Sequence, residues 1–477
     1  MPPTKLPFAG GFYQSESLPL SAQQCINWYP NIPQGGALNE ESLFMTPGLS
    51  QIATSGSGAN RGAGTLKNLP YFVNNNTLYR VDESGVLFTI TGLGTIEGTG
   101  RVSMISNGTQ LMILVPGGKG YIFTTGPDTL VEITDLDFTA NGNPQYLTFV
   151  DGFFVCTTDT EKFIVSALNN GTSWNALDFG SAESDPDDVV APIVLRNQLF
   201  ITGRSTIEGF QNIGGADFPF QRTGVFFDKG VSAPFSLINA SDTVFFVGSG
   251  KNESPAVWAM QGNSVQKVST TAIDSVLQDL TEVEMGNVYA IAYAQKGAYF
   301  VGFGLPDTML VYDTITGRWH ERKSRIVTPQ GNAEIIPSRV SSLVTAYGKV
   351  IVADTRDGRI GEMSPDILME YDDVILRSFT TQPFQNVMES LLFPSLELTM
   401  EAGTGNTDAP DPVMWLERSK DGKRYSDPRI RRIGKKGEYA NRTIWRRNGR
   451  AARFEIFRFS MSDPVVANVL QLTADIV

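Results

Sequence analysis

The chain contains one histidine, and that alone narrows the chemistry it could do. His320 lies in the stretch Asp313 to Glu321, a turn followed by a strand that carries Trp319. A lone imidazole cannot supply the ligand set of most zinc sites or, without a nucleophile placed beside it, a Ser-His or Cys-His relay. No G-x-S-x-G elbow, phosphate loop, H-E-x-x-H or C-x-x-C occurs anywhere. We therefore expect His320 to be a surface or interface residue and not a catalytic one. Cys25 and Cys156 are too few for a disulfide framework, and Cys156, closing Phe153-Phe154-Val155-Cys156, has the character of a small buried apolar residue.

Two stretches place carboxylates close together. Asp354-Thr355-Arg356-Asp357-Gly358 could suggest calcium, but it lacks the further oxygen ligands and distal Glu of a calcium loop, so a tight hairpin turn is expected. Ser419-Lys420-Asp421-Gly422-Lys423-Arg424-Tyr425 resembles the aspartate box S-x-D-x-G-x-x-W of sialidase propellers, one residue short and ending in Tyr. Such a box is a structural turn and does no chemistry. Among 50 acidic residues two can always fall at glycosidase separation, yet no local feature nominates a pair. Catalytic, metal-binding and cofactor-binding residues are accordingly expected to be absent.

The remaining candidates are basic. The chain carries 38 Lys and Arg against 50 Asp and Glu, a net charge of −12. Between Trp415 and Ser460 fifteen Lys and Arg face five acids, +10, so the rest of the chain carries −22. Arg431, Arg432, Arg442, Arg446, Arg447 and Arg450, with Trp445 among them, form a candidate protein interface, since the planar fork of Arg pairs carboxylates bidentately. The alternative is a solvated strand face whose Arg stems lie over neighbouring aromatics. An acidic body repels phosphates, so DNA near this chain would be guided without sequence-specific binding. The favoured target of the basic stretch is an acidic protein neighbour, including another copy of the chain.

These residues need elements to hold them, and the sequence supplies β-structure. Apolar runs paired across Gly, Pro, Asn or Asp breaks recur seven times between Leu69 and Met363. Taking Tyr79, Tyr121, Val165, Ile207, Val257, Val311 and Ile360 as markers, the steps are 42, 44, 42, 50, 54 and 49 residues, against roughly 40 to 50 per blade in propeller repeats. Each hairpin is too small to bury its apolar face alone, and stacking hairpins around an axis gives every face a neighbour. The expected fold is all-β: an irregular six- or seven-bladed β-propeller over 61–370, with an N-terminal extended arm over 1–60 and a C-terminal β-sandwich over 371–477. An ordinary β-sandwich with regular turns is the alternative, because hairpin spacing does not fix topology.

In the arm, Trp28 and Tyr29 stand among Pro, Gly and Asn as candidate docking residues, onto the chain's own body or a neighbouring subunit. Ser181 to Asp188 is an acidic loop, Ile213 to Gly230 a Gly- and Phe-rich insertion, and Ala272 to Met285 the one expected helix. From about 371 onward, longer strands alternate Arg with large apolar residues, as in Phe457-Arg458-Phe459, giving one core face and one charged face. No apolar run approaches the roughly 18 residues that cross a bilayer, and no signal peptide is visible, so synthesis in a cytoplasm without membrane association is expected.

The C-terminal stretches Trp415 to Gly422, Gly434 to Tyr439, Trp445 to Arg450 and Ser462-Asp463-Pro464 resemble the end of the packaged-DNA stabilisation proteins, or tail hubs, of short-tailed bacteriophages. Asn27-Trp28-Tyr29-Pro30-Asn31, Thr46-Pro47-Gly48-Leu49, Gly100 to Met104 and Gly203 to Glu208 are similar too, so the likeness spans nearly the whole chain. The sequence departs from that family in blade lengths and at Asn448, where a bulkier apolar residue is common. The resemblance implies a virion structural protein without catalytic residues. It implies a homohexameric nozzle beneath the head-to-tail adaptor ring, with a distal plug or needle and flanking fibres or spikes, that retains packaged DNA and conducts it on ejection. A carbohydrate-binding or glycoside-hydrolysing propeller is the alternative from another class, and a monomeric peptide-recruiting scaffold a third.

Overall fold

The computed structural model describes residues 3–90, 95–182, 187–215, 218–386 and 389–477. Part of the acidic loop Ser181 to Asp188, and two residues of the insertion Ile213 to Gly230, fall outside the described residues.

Local turn chemistry sets the repeat. The first two strands of a sheet, such as Asn60–Leu66 and Leu69–Asn74, are joined by two residues that both have positive φ, Lys67 at 51° and Asn68 at 61°. The same geometry recurs at Asp151-Gly152, Arg196-Asn197, Ser241-Asp242, Lys296-Gly297 and Tyr347-Gly348. This is the turn whose twist matches antiparallel strands, and Asn, Asp and Gly adopt it at least cost. Each hairpin then extends into a sheet of four strands, for example Pro144–Val150, Phe153–Thr158, Lys162–Ala167 and Asn170–Ser181.

Among the described residues seven such sheets follow one another, and their innermost strands touch in chain order. The ring closes where Val340–Ala346 of the last meets Asn60–Leu66 of the first. Apolar residues fill the spaces between sheets, with Tyr71, Val73, Leu111, Ile113 and Phe123 in the first gap. This is a β-propeller. The last sheet takes its outer strand from the N-terminal region: Gly48–Thr54 pairs antiparallel with Arg359–Ser364.

The arm is therefore not a separate element. Its last strand closes the propeller, and its earlier strands complete the sandwich. One sandwich sheet runs Arg429–Arg432, Val413–Ser419, Phe454–Met461, Arg377–Thr380, and then Cys25–Ile26, which bridges to Glu321 in the sixth propeller sheet. The other runs Thr443–Arg446, Ser395–Met400, Val469–Asp475, Ser42–Met45 and Trp28–Asn31, with Thr4–Leu6 beside Val469–Asp475. Leu6, Phe8, Cys25, Trp28, Leu43 and Met45 share one core with Phe379, Leu416, Trp445, Phe457 and Phe459.

Burial decides between the two dockings expected of the arm, and the expected helix is divided. Trp28 is fully buried, its indole N–H donating to the Ala467 carbonyl at 2.9 Å, and its ring meets Phe379 edge-on at 5.7 Å. Tyr29 is buried against Phe300, ring centroids 4.8 Å apart. Both dock onto the chain's own body and offer no surface to a partner. The expected single helix is two: Thr271–Gln278 and Glu282–Gly286 are separated at Asp279 to Thr281, where Thr281 and Glu284 form a capping box that starts the second.

Candidate functional site

His320 is wholly buried, packed between Tyr29 at 6.0 Å and Phe300 at 5.4 Å, and neither ring nitrogen has a partner. Burial, with Arg322 adding to it, pushes its pKa down to about 3, so it is a neutral core residue. The expectation of a surface or interface histidine is thereby corrected.

Asp354 to Gly358 is a turn held by arginines. The buried Arg339 donates to Asp354 at 2.8 Å and to Asp357 at 2.7 Å, and Arg359 donates to Asp357 at 2.9 Å. The two carboxylates are thus paired by arginines of the chain itself. Among the described residues no group of three His, Cys, Asp or Glu could hold a metal. The stretch Ser419 to Tyr425 is likewise a turn, in which Asp421 accepts the backbone N–H groups of Lys423 and Arg424, each at 2.8 Å. No helix among the described residues is long and apolar enough to cross a membrane.

The basic candidates gather where two sheet edges face each other. Arg429–Arg432 is the outermost strand of one sandwich sheet and Thr443–Arg446 that of the other. Bare edges expose unpaired backbone groups, and here side chains close them. Arg431 Nε donates to the Ile444 carbonyl at 2.9 Å, Arg429 Nη2 to the Arg446 carbonyl at 2.5 Å, and Trp445 Nε1 to the Arg429 carbonyl at 2.6 Å. Trp445 is fully buried and stacks edge-on with Phe459, so it anchors the edge from inside and is not itself an interface residue, contrary to the sequence-based expectation.

The arginines divide by what they already touch. Arg442 grips Glu397 through both fork nitrogens, at 2.7 and 2.5 Å, and Arg432 pairs with Asp411 at 2.6 Å and Glu438 at 3.2 Å. Arg450 donates to the Ser390 hydroxyl at 2.5 Å. Arg446 and Arg447 are exposed and make no ion pair among the described residues. Their charges, together with Arg431 and Arg450, face outward and are free to meet carboxylates.

Asn448, which sequence reasoning marked only as a departure, organises this edge. It is fully buried, its Nδ2 donating to the Trp445 carbonyl at 2.9 Å and its Oδ1 accepting from Arg429 at 2.7 Å. Arg447 before it takes φ of +58° and turns the chain there. Its neighbour Arg429 supplied the missing signal, since a buried amide needs partners.

Comparison with known proteins places this geometry. Residues 4–368 match the family model of the bacteriophage P22 gp10 β-propeller, and residues 377–477 that of the gp10 β-sandwich. The tail hub protein gp10 of Salmonella phage P22 is 22% identical over 433 residues, covering 86% of this chain and 88% of that protein. Among solved structures, virginiamycin B lyase from Staphylococcus aureus aligns with a TM-score of 0.41 at 10% identity, covering 64% of this chain and 94% of that one. YCF48 from Cyanidioschyzon merolae aligns with a TM-score of 0.44 at 11% identity, covering 67% and 99%. Both family models, end to end, account for nearly the whole chain: it belongs to the bacteriophage P22 gp10 family.

Proposed function

We propose that this chain is a structural component of a bacteriophage tail, a hub subunit that does no chemistry. The observation that carries this reading is the likeness to a tail hub protein over 86% of the chain. Six copies form a nozzle beneath the head-to-tail adaptor ring, hold a distal plug or needle, and carry fibres or spikes on their flanks. The ring closes the DNA channel, retains packaged DNA, and conducts it on ejection without reading its sequence. The protein is made in the host cytoplasm and works in the virion.

Two physical features support the reading. The exposed Arg446, Arg447 and Arg450 present a basic face to acidic neighbours, while the rest of the chain, at −22, limits adhesion of passing phosphates. Light scattering and electron microscopy of the protein, alone and mixed with its phage's portal and adaptor proteins, test it. A six-fold ring, alone or on the adaptor, is expected. Reversing charge at Arg446, Arg447 and Arg450 abolishes ring formation or adaptor docking, and a wild-type monomer indifferent to those partners would sink the proposal.

A further inference from the structure

The pair Asn-Gly occurs four times in the chain, at Asn107, Asn141, Asn170 and Asn448. Two of the four continue alike, as Asn107-Gly108-Thr109 and Asn170-Gly171-Thr172, and the fold treats them differently. The main-chain nitrogen that follows an Asn can attack its side-chain amide carbon, and glycine there has no Cβ to hinder the approach. The outcome depends on what holds the amide oxygen, what holds the nitrogen, and whether water reaches them.

Asn107 begins the turn between Ser103–Ser106 and Gln110–Val115, the first two strands of the second sheet. Its Oδ1 accepts the Thr109 N–H at 2.9 Å, the Thr109 hydroxyl at 3.0 Å and the Gln110 N–H at 2.7 Å. Preorganised donors at about 2.7 to 3.1 Å are what stabilises an oxygen on which negative charge develops. Gly108 is exposed, at φ +91°, with nothing within 4 Å of where a Cβ would stand, and its N–H has no partner among the described residues.

At Asn170 the oxygen is held in the same way, by the Thr172 N–H at 3.1 Å and the Thr172 hydroxyl at 2.8 Å. The nitrogen is not free: Gly171 is buried, and its N–H donates to Gln110 Oε1 at 2.9 Å. After Asn141, the Gly142 N–H donates to the Thr139 carbonyl at 3.3 Å. Asn448 is fully buried with both amide atoms engaged. The open site and its closed counterpart also touch, since Asn107 Nδ2 donates to the Asn169 carbonyl at 3.3 Å.

We propose that Asn107 is a self-modifying site that converts to aspartate and isoaspartate in the folded protein, and that Gln110 protects Asn170 from the same reaction. Gly108 N gives its proton to hydroxide and attacks Asn107 Cγ. The N–Cγ bond forms, the Cγ–Nδ2 bond breaks, and Nδ2 takes a proton from water and leaves as ammonia. Water then opens the cyclic imide, at the side-chain carbonyl to give aspartate or at the main-chain carbonyl to give isoaspartate. Either product adds a negative charge to the turn and removes the N–H given to Asn169, which loosens the seam between the second and third sheets.

The test incubates the full-length protein at mildly alkaline pH, folded and in urea. The tryptic peptides Val102–Lys119 and Phe163–Arg196 are followed over time by mass spectrometry, with isoaspartate resolved by chromatography. A donated N–H has to be freed before it attacks, so the folded protein should convert Asn107 about tenfold faster than Asn170. In urea, where the shared tripeptide is all that remains, the two rates should converge. Gln110→Ala frees the Gly171 N–H and should raise conversion at Asn170. Thr109→Val, at an exposed position, removes one donor and should slow Asn107 about tenfold, less than the roughly 10²- to 10³-fold loss where such a donor is shielded from water. Equal rates at Asn107 and Asn170 in the folded protein, or an Asn107 slower there than in urea, overturn the site. A Gln110→Ala variant that keeps its thermal midpoint and leaves Asn170 as inert as before overturns the protection assigned to Gln110.

Discussion

Arg377 carries a guanidinium into the interior of the sandwich, where it is fully buried and none of its three nitrogens has a partner. Burial pushes its pKa down to about 10, which leaves it charged at neutral pH. An uncompensated charge in an apolar setting is costly, and exchanging buried ionic groups for well-packed apolar ones is often stabilising by about 1 to 4 kcal/mol. Arg377→Met, of similar length, should raise the unfolding free energy from urea titration by an amount in that range, and with it the urea midpoint. A midpoint that falls would show that the charge is compensated in solution. His320, also a base with a lowered pKa, brings its pH dependence into the acidic range. Its folded pKa of about 3 lies below the ordinary imidazole value of 6.5, so the unfolded chain binds the extra proton between these limits. Stability is therefore full above about pH 6.5 and declines as pH falls toward 3, by at most about 1.4 kcal/mol per pH unit. His320→Leu should flatten this limb, measured as denaturation midpoint against pH. An unchanged slope would place the acid sensitivity elsewhere.

At the scale of elements, the paired hairpins were legible because two signals coincide in them. Apolar alternation in runs such as Leu199-Phe200-Ile201 marks the strand, and Arg196-Asn197 or Asp151-Gly152 marks the turn that twists correctly. The strands Tyr13–Gln14, Ala22–Gln23 and Cys25–Ile26, at two residues each, are too short to show any period, so the sequence shows the N-terminal region only as an extended docking arm and not as strands of the two domains. Its Trp28 and Tyr29 are large and apolar for a reason that sequence cannot locate, since their partners lie hundreds of residues away, as Ala467 does. The basic edge was half legible: alternation told that one face of Thr443–Arg446 is core, and Trp445 occupies it, but not which arginines have partners. Two predictions belong at this scale. Trp28→Ala, which empties a shared core and strands the Ala467 carbonyl, should cost about 3 to 5 kcal/mol. Amides of Gly48–Thr54 should exchange as slowly as those of Arg359–Ser364 in hydrogen-exchange mass spectrometry, because the two strands form one ladder; rapid exchange confined to the first would show that the ring closes without it.

For the whole molecule the deciding quantity is the separation of charge, +10 over Trp415 to Ser460 against −22 elsewhere. Within the propeller, Arg101, ahead of the second sheet, reaches past the first to lie 3.7 Å over the Tyr289 ring of the sixth sheet, and it donates to the Ser341 carbonyl of the seventh at 3.0 Å. The start of the inner strands is thus tied across by the Arg101 side chain, so in the ring proposed above the path for DNA lies outside each propeller, between subunits. There the opposite charges serve different ends. Protein–protein contacts between a basic edge and an acidic body weaken as salt shortens the Debye length, about 10 Å at 0.1 M, whereas a duplex gains little from a net-acidic surface at any salt. Self-association or adaptor docking should therefore weaken steadily between about 0.05 and 0.5 M salt. Affinity for duplex DNA at physiological salt should stay weaker than about 10⁻⁴ M, the loose end of ordinary non-specific binding. Sedimentation and filter binding over one salt series measure both. If instead DNA were held at micromolar strength with a steep salt slope, Arg446, Arg447 and Arg450 would be tracking phosphates and the basic face would line the channel. Weak DNA binding beside salt-sensitive association would place that face between proteins.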